Sequence, residues 1–171
     1  MKNTKQLVIA ALLIAMGIII PLVMPIKINT GIASYTLGSH VPVMIAMFVS
    51  PLVAVLVALG TATGFFVTST YIVALRALSH IVFAVVGALM IQKNRNVLKT
   101  KKSEYSFSAY IGLIHILMEC LVVAITFAYG SQGFKEFLLV VIVSVGFGGF
   151  IHSLVDFFIS SKVIKSLKLN Q

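Results

Sequence analysis

The stretch YIVALRALSHIVFA, residues 71–84, reads as one segment of a lipid-buried helix, yet it carries Arg76 and His80. An arginine near a bilayer centre costs about 2.5–3.5 kcal/mol on insertion scales, and more in simulations. Ionisable residues at such depth are kept where they bind, transport or pair with something. Arg76 is therefore a candidate functional group, and its context decides the fold.

That context is apolar throughout. Of 171 residues, 60% are hydrophobic and only 10% are charged, and the mean hydropathy is +1.11. A soluble domain of this length needs far more polar residues at its surface. Several runs approach the roughly 18–20 apolar residues that span a bilayer. Alternating segments of about 10 residues, the mark of a membrane β-barrel, are absent. The fold class is an all-α integral membrane protein forming one domain over residues 1–171.

The hydrophobic runs are 7–23, 40–49, 52–67, 71–91, 107–129 and 134–161. Ser50 and Pro51 break the second from the third. Residues 26–39 form a polar, Gly-containing connection, 92–106 a basic loop, and GSQGFK a turn. The net charge is +9. The bases gather at segment ends: Lys2 and Lys5; Lys93, Arg95, Lys99, Lys101 and Lys102; Lys162, Lys165 and Lys168. This is a positive-inside distribution. It predicts six transmembrane helices if run 40–49 crosses, with both termini and the 92–106 loop cytoplasmic. The alternative, five spans with runs two and three as a re-entrant hairpin, puts the three C-terminal lysines outside. No aromatic residues interleave with the bases, so no nucleic-acid partner is expected. The N-terminal run ends in PLVMPIK without a small-x-small cleavage site and reads as a retained first helix. Cys120, the single cysteine, allows neither an intrachain disulfide nor a thiolate cluster.

Three helices carry an ionisable pair at a spacing of four, which puts each pair on one face. They are Arg76 and His80, His115 and Glu119, and His152 and Asp156. Counting about 1.5 Å per residue places Arg76 about 8 Å, His80 about 14 Å and Glu119 about 15 Å below the outer helix ends, with His115 about 6 Å deeper. Arg76, His80, Glu119 and His115 thus share an outward-facing pocket. His152 and Asp156 fall near the inner end, outside it, and are expected to pair with Lys93 or Arg95. Neutralisation of Arg76 by Glu119 is the structural alternative.

A guanidinium suits a planar carboxylate, which it grips through two parallel hydrogen bonds. Tyr71 and Tyr35 are placed to stack on a flat ring. The 26–39 connection, with Asn29, Thr30, Gly31, Ser34, Tyr35 and Thr36, is suited to close over the outer mouth. Ala11 and Ala15 have small-xxx-small spacing, as do Gly60 and Gly64, and allow close helix approach; Ala10 widens the first face. GFGG, residues 146–149, loosens the last helix. HExxH, GxSxG and P-loop patterns are absent. The expectation is no enzyme activity and no cofactor, and transport that is passive, ion-driven or driven by a borrowed ATPase.

The alanine-bearing first helix, LVIAALLIAMGIIIP, and the six runs resemble the substrate-binding S components of energy-coupling factor (ECF) vitamin transporters. LGSHVPVMIAMFVSPLVAVLVALGTATGFF, residues 37–66, is similar to the niacin-specific type. The resemblance implies a plasma-membrane six-helix fold and a vitamin pocket built from the first external loop and helices four to six. It also implies docking of the Ala11–Ala15 face on a membrane coupling subunit driven by two cytoplasmic ATPases. Nicotinate, a flat ring with a carboxylate, fits Arg76 and a tyrosine. The alternatives are another small vitamin, a metal ion held by His80, His115 and Glu119, a stand-alone carrier, or a structural subunit.

Overall fold

The computed structural model describes residues 4–29, 33–128 and 133–167. Its elements are α1 (Thr4–Val23), a hairpin of β1 (Lys27–Asn29) and β2 (Ser34–Thr36), α2 (Val41–Met47), α3 (Pro51–Thr68), α4 (Tyr71–Lys93), α5 (Lys101–Ala128) and α6 (Phe134–Ser166). A short 3-10 turn, Arg95–Leu98, joins α4 to α5. Among the described residues, α1, α3, α4, α5 and α6 are long and apolar enough to cross a membrane.

Local chemistry explains the boundaries. Pro51 opens α3, and Ser50 caps it by accepting from Val53 N–H at 3.2 Å. Thr70 caps α4 in the same way. Only residues 69 and 70 separate these helices, so they pack antiparallel. The basic 92–106 loop is shorter than the sequence suggests, because α5 begins at Lys101.

Glycines set the contact between α1 and α3. A Cβ at Gly60 would stand 2.6 Å from Ile14 Cγ2, and one at Gly64 2.9 Å from Ile18 Cγ1 and 3.1 Å from Ile18 Cα. Gly17 faces Thr61 just as closely. Residue numbers rise together along this seam, so α1 and α3 run parallel. The chain between them must return the length of the bundle. It does so through the hairpin, a turn and α2. The seven residues of α2 span about 10 Å, a third of a hydrocarbon core of about 30 Å. All seven are buried, and α2 packs on α1, α3, α4 and the second half of α6. The second run is thus a central plug with irregular flanks rather than a long helix.

The remaining contacts alternate direction. Arg76 of α4 meets Glu119 of α5, and Gly87 meets Ile111. Gly112 of α5 meets Phe150 of α6, and Glu104 meets Lys165 at 2.7 Å. The described chain ends and the 94–100 link therefore lie at one end of the bundle, with the hairpin at the other. Phe83, Phe157, Met44, Met47, Ile111 and Ile164 fill the core on the Lys93 side. At the hairpin end Ala33, Val123 and Val145 form a small separate cluster.

Residues Leu139–Gly148 of α6 are π-helical, covering the start of GFGG. Closing each bond over five residues offsets the backbone carbonyls from the ordinary ladder. Two of these accept from side chains: Val141 from Cys120 Sγ at 3.3 Å and Ser144 from the Tyr35 hydroxyl.

Gly64→Leu should force α1 off α3, because the obstructing atoms include backbone. Overpacking of this kind costs about 1–3 kcal/mol. Thermal unfolding in detergent should show a lowered midpoint; an unchanged midpoint would mean that this seam is loosely packed.

Candidate functional site

Four elements bring ionisable side chains to one level inside the bundle. Arg76 and His80 come from α4, His115 and Glu119 from α5, and His152 and Asp156 from α6. His40 comes from the turn that opens α2. Every histidine in the chain is therefore in the cluster.

The centre is an ion pair. Arg76 Nη2 donates to Glu119 Oε2 at 2.7 Å, and both side chains are 4% exposed. The other carboxylate oxygen, Oε1, lies 3.1 Å from His80 Nε2 and 3.4 Å from His115 Nε2. The four-residue spacing read from sequence thus converges on Glu119. The Arg76 charge is neutralised within the chain, which is the structural alternative weighed for it. Whatever binds here meets a guanidinium already engaged.

His40 carries the cluster across to α6. Its ring centroid is 4.7 Å from His80, 4.6 Å from His115 and 4.8 Å from His152, all edge to face. Its Nδ1 lies 3.0 Å from Asp156 Oδ2. Asp156 also accepts from the backbone N–H groups of Gly38 at 2.8 Å and His40 at 3.0 Å. Gly38 has φ +82°, the left-handed region where a side chain would strain the backbone. That turn aims its N–H at the carboxylate.

His152 and Asp156 therefore join the assembly, contrary to the depth count along an ideal α-helix. The π-helical stretch winds more residues into each turn, so α6 advances less per residue. Gly149 consequently lies level with Glu119, within 3.5 Å of its Oε2 for a built Cβ. Their partners are His40 and Ser39, the latter 3.2 Å from His152 Nε2, in place of the expected Lys93 or Arg95. His40 was missed because it opens a short apolar run with no partner four residues away. The signal available was its chemistry, a histidine preceding a run that must be buried.

Tyr35 lies over the cluster. Its ring is 5.7 Å from His152, and its hydroxyl donates to Ser144 O on α6. Burial pushes the phenol above its ordinary pKa, opposed by the Ser144 bond and by Arg76, so it stays a donor. The register Ile28↔Tyr35 ties the latch to the hairpin. Tyr71 does not join: it is 64% exposed and lines an outer groove between α3 and α4 with Phe66 and Leu75. Five residues from Arg76, it points off the helix face that carries the arginine. Asn29 pairs with Ser34 through the hairpin backbone; its side chain, Thr30 and Gly31 lie outside the described residues. Ala11 and Ala15 are exposed on α1, whereas Ala10 is buried against the bundle and does not widen that face. Gly60 and Gly64 serve packing within the chain.

The chain is 41% identical over 160 residues to the niacin transporter NiaX of Lactococcus lactis subsp. cremoris (strain MG1363), covering 91% of this chain and 71% of the relative. The chain belongs to the NiaX family. This bears out the resemblance to niacin-type S components read from residues 37–66, and it makes the protein a multi-pass cell-membrane protein. No family profile matches the chain, and no solved structure matches it. In this chain the Arg76–Glu119 cluster forms an internal polar layer with apolar helix surface around it.

Removing one member of a buried pair strands the other. Glu119→Ala should destabilise the protein by about 3–5 kcal/mol, and pairing it with Arg76→Met should recover much of that loss. Thermal unfolding of the single and double variants is the check. Simple additivity would show that the two charges are not coupled.

Proposed function

We propose that the protein is a niacin-binding S component of an ECF importer, capturing nicotinate or nicotinamide from outside without catalysing any reaction. The observation that carries this is the 41% identity, over 91% of the chain, to a niacin transporter. The bundle is compatible with six crossings: α1 and α3 run parallel, so the α2 segment returns between them. With the positive-inside rule, this supports cytoplasmic termini and a hairpin facing out.

In this reading the ligand enters beneath the hairpin, where Tyr35 closes over Arg76, His80, His115 and Glu119; Asn29 belongs to the same lid. Nicotinate brings a carboxylate, which shares or competes for the Arg76 guanidinium with Glu119. Capture then requires the Tyr35–Ser144 latch to open and the ion pair to adjust. Ala11 and Ala15, open to the outside of α1, supply a smooth face for the ECF membrane coupling subunit, which two cytoplasmic ATPases would drive.

Binding of radiolabelled nicotinate and nicotinamide to the purified protein tests the reading. Saturable binding of either is expected, and its absence for both removes niacin as the ligand. The double variant Arg76→Ala with Glu119→Ala avoids a stranded charge. A hydrogen-bonded charge contributes about 1.5–3 kcal/mol, so nicotinate should lose about 10- to 150-fold in affinity and nicotinamide less. Equal retention of both would show that Arg76 does not grip the ligand.

Ala11→Trp and Ala15→Trp should leave binding intact and stop uptake in cells carrying the coupling subunit and ATPases. Undiminished uptake would place docking on another face.

A further inference from the structure

We infer that His40, His80, His115 and Glu119 form a resident binding site for one divalent transition-metal ion of the zinc class. This goes beyond the vitamin reading and does not depend on which vitamin binds. Each residue offers one ligand atom, all four residues are buried, and the four atoms lie within 4.8 Å of one another. In a tetrahedral site with metal–ligand bonds of about 2.0–2.1 Å, ligand atoms stand about 3.3–3.4 Å apart. Glu119 Oε1 is already 3.1 Å from His80 Nε2 and 3.4 Å from His115 Nε2. Closing the widest gap takes side-chain movement of about an ångström and a half.

The surroundings match those of a metal site. Ligating histidines ordinarily donate their second ring nitrogen to a carboxylate that fixes tautomer and orientation. His40 Nδ1 does this with Asp156, which two backbone N–H groups hold in turn. Ligating carboxylates are likewise held by hydrogen bonds, and Arg76 holds Glu119 by Oε2, leaving Oε1 turned to the imidazoles. His115 is fully buried; among the described residues its Nδ1 has no hydrogen-bond partner, and its Nε2 has only the long 3.4 Å approach to Glu119 Oε1. A polar ring in that state is costly unless something coordinates it. An ion at the centre would give one of the two His115 nitrogens a partner.

Charge points the same way. With neutral imidazoles, Arg76, Glu119 and Asp156 leave the cluster one negative charge in excess. A divalent ion turns this to one positive charge, beneath the place where an anionic ligand is proposed to bind. Three imidazoles with one carboxylate suit zinc, cobalt, nickel or copper rather than magnesium or calcium.

The test uses the full-length protein purified on a histidine-free tag and in buffers without chelator. Elemental analysis should find about one first-row divalent ion per chain. After stripping, titration with cobalt(II) should give a ligand-field absorption band with a one-to-one end point. His115→Ala should lose the band, and Asp156→Asn, a positioning change, should weaken cobalt binding by about 10- to 100-fold. Wild-type protein that is monodisperse, metal-free as purified, and bandless with cobalt would overturn the site, even if the variants fail to fold. Metal binding with neither nicotinate nor nicotinamide bound would refute the niacin reading alone, and the reverse would refute the metal site alone.

Discussion

The polar layer beneath the hairpin is arranged around one buried ion pair, Arg76 with Glu119. Taking two charges out of water costs several kcal/mol per ion even after relaxation. Their attraction repays this only with good geometry and with the remaining lone pairs and protons satisfied. Inside a membrane there is no water to do that. His80 and His115 approach the second carboxylate oxygen, and His40 links them to Asp156. The result is a layer of mutually dependent groups that pins α2, α4, α5 and α6 at one level. Movement of any one of these helices disturbs the others through charge as well as packing.

The rest of the architecture serves that layer. The α2 plug is apolar along its whole length, and its leading turn supplies His40 and the Gly38 N–H to the layer. The close seam of α1 on α3 gives the plug a wall to pack on. The π-helical stretch of α6 does two things at once. It brings Gly149 level with Glu119, so that His152 and Asp156 reach Ser39 and His40, and it offers the Ser144 carbonyl to Tyr35. The hairpin therefore latches onto the same helix that carries Asp156. A hairpin and a polar centre that share one irregular helix can influence each other. At the opposite end, Glu104 is buried against Ser161 and Lys165. This second polar tie joins α5 to α6 where the basic residues gather.

Much of this was legible in the sequence. Composition and run length gave the membrane class, and four of the long helices agree within a few residues with runs 7–23, 52–67, 71–91 and 134–161. The four-residue spacing of Arg76–His80 and His115–Glu119 gave the cluster's centre, because helical periodicity alone puts each pair on one face. What periodicity cannot supply is the level of one helix relative to another. A count along an ideal α-helix puts His152 too deep, because nothing in GFGG announces the 10 residues of π-helix. His40 is invisible to periodicity, because a single histidine at the head of a short run has no periodic partner. Tyr71 is near Arg76 in sequence, but five residues is not a same-face spacing. Such contacts depend on how helices are stacked, which local pattern does not encode.

In the proposed function, the charged layer beneath the hairpin receives a small anionic ring. A structure determined with nicotinate bound is the most direct test. The carboxylate should lie within hydrogen-bonding distance of Arg76, with Tyr35 covering the ring and the imidazoles below it. Nicotinate found elsewhere, with the Arg76–Glu119 pair and the Tyr35 latch unchanged, would contradict it.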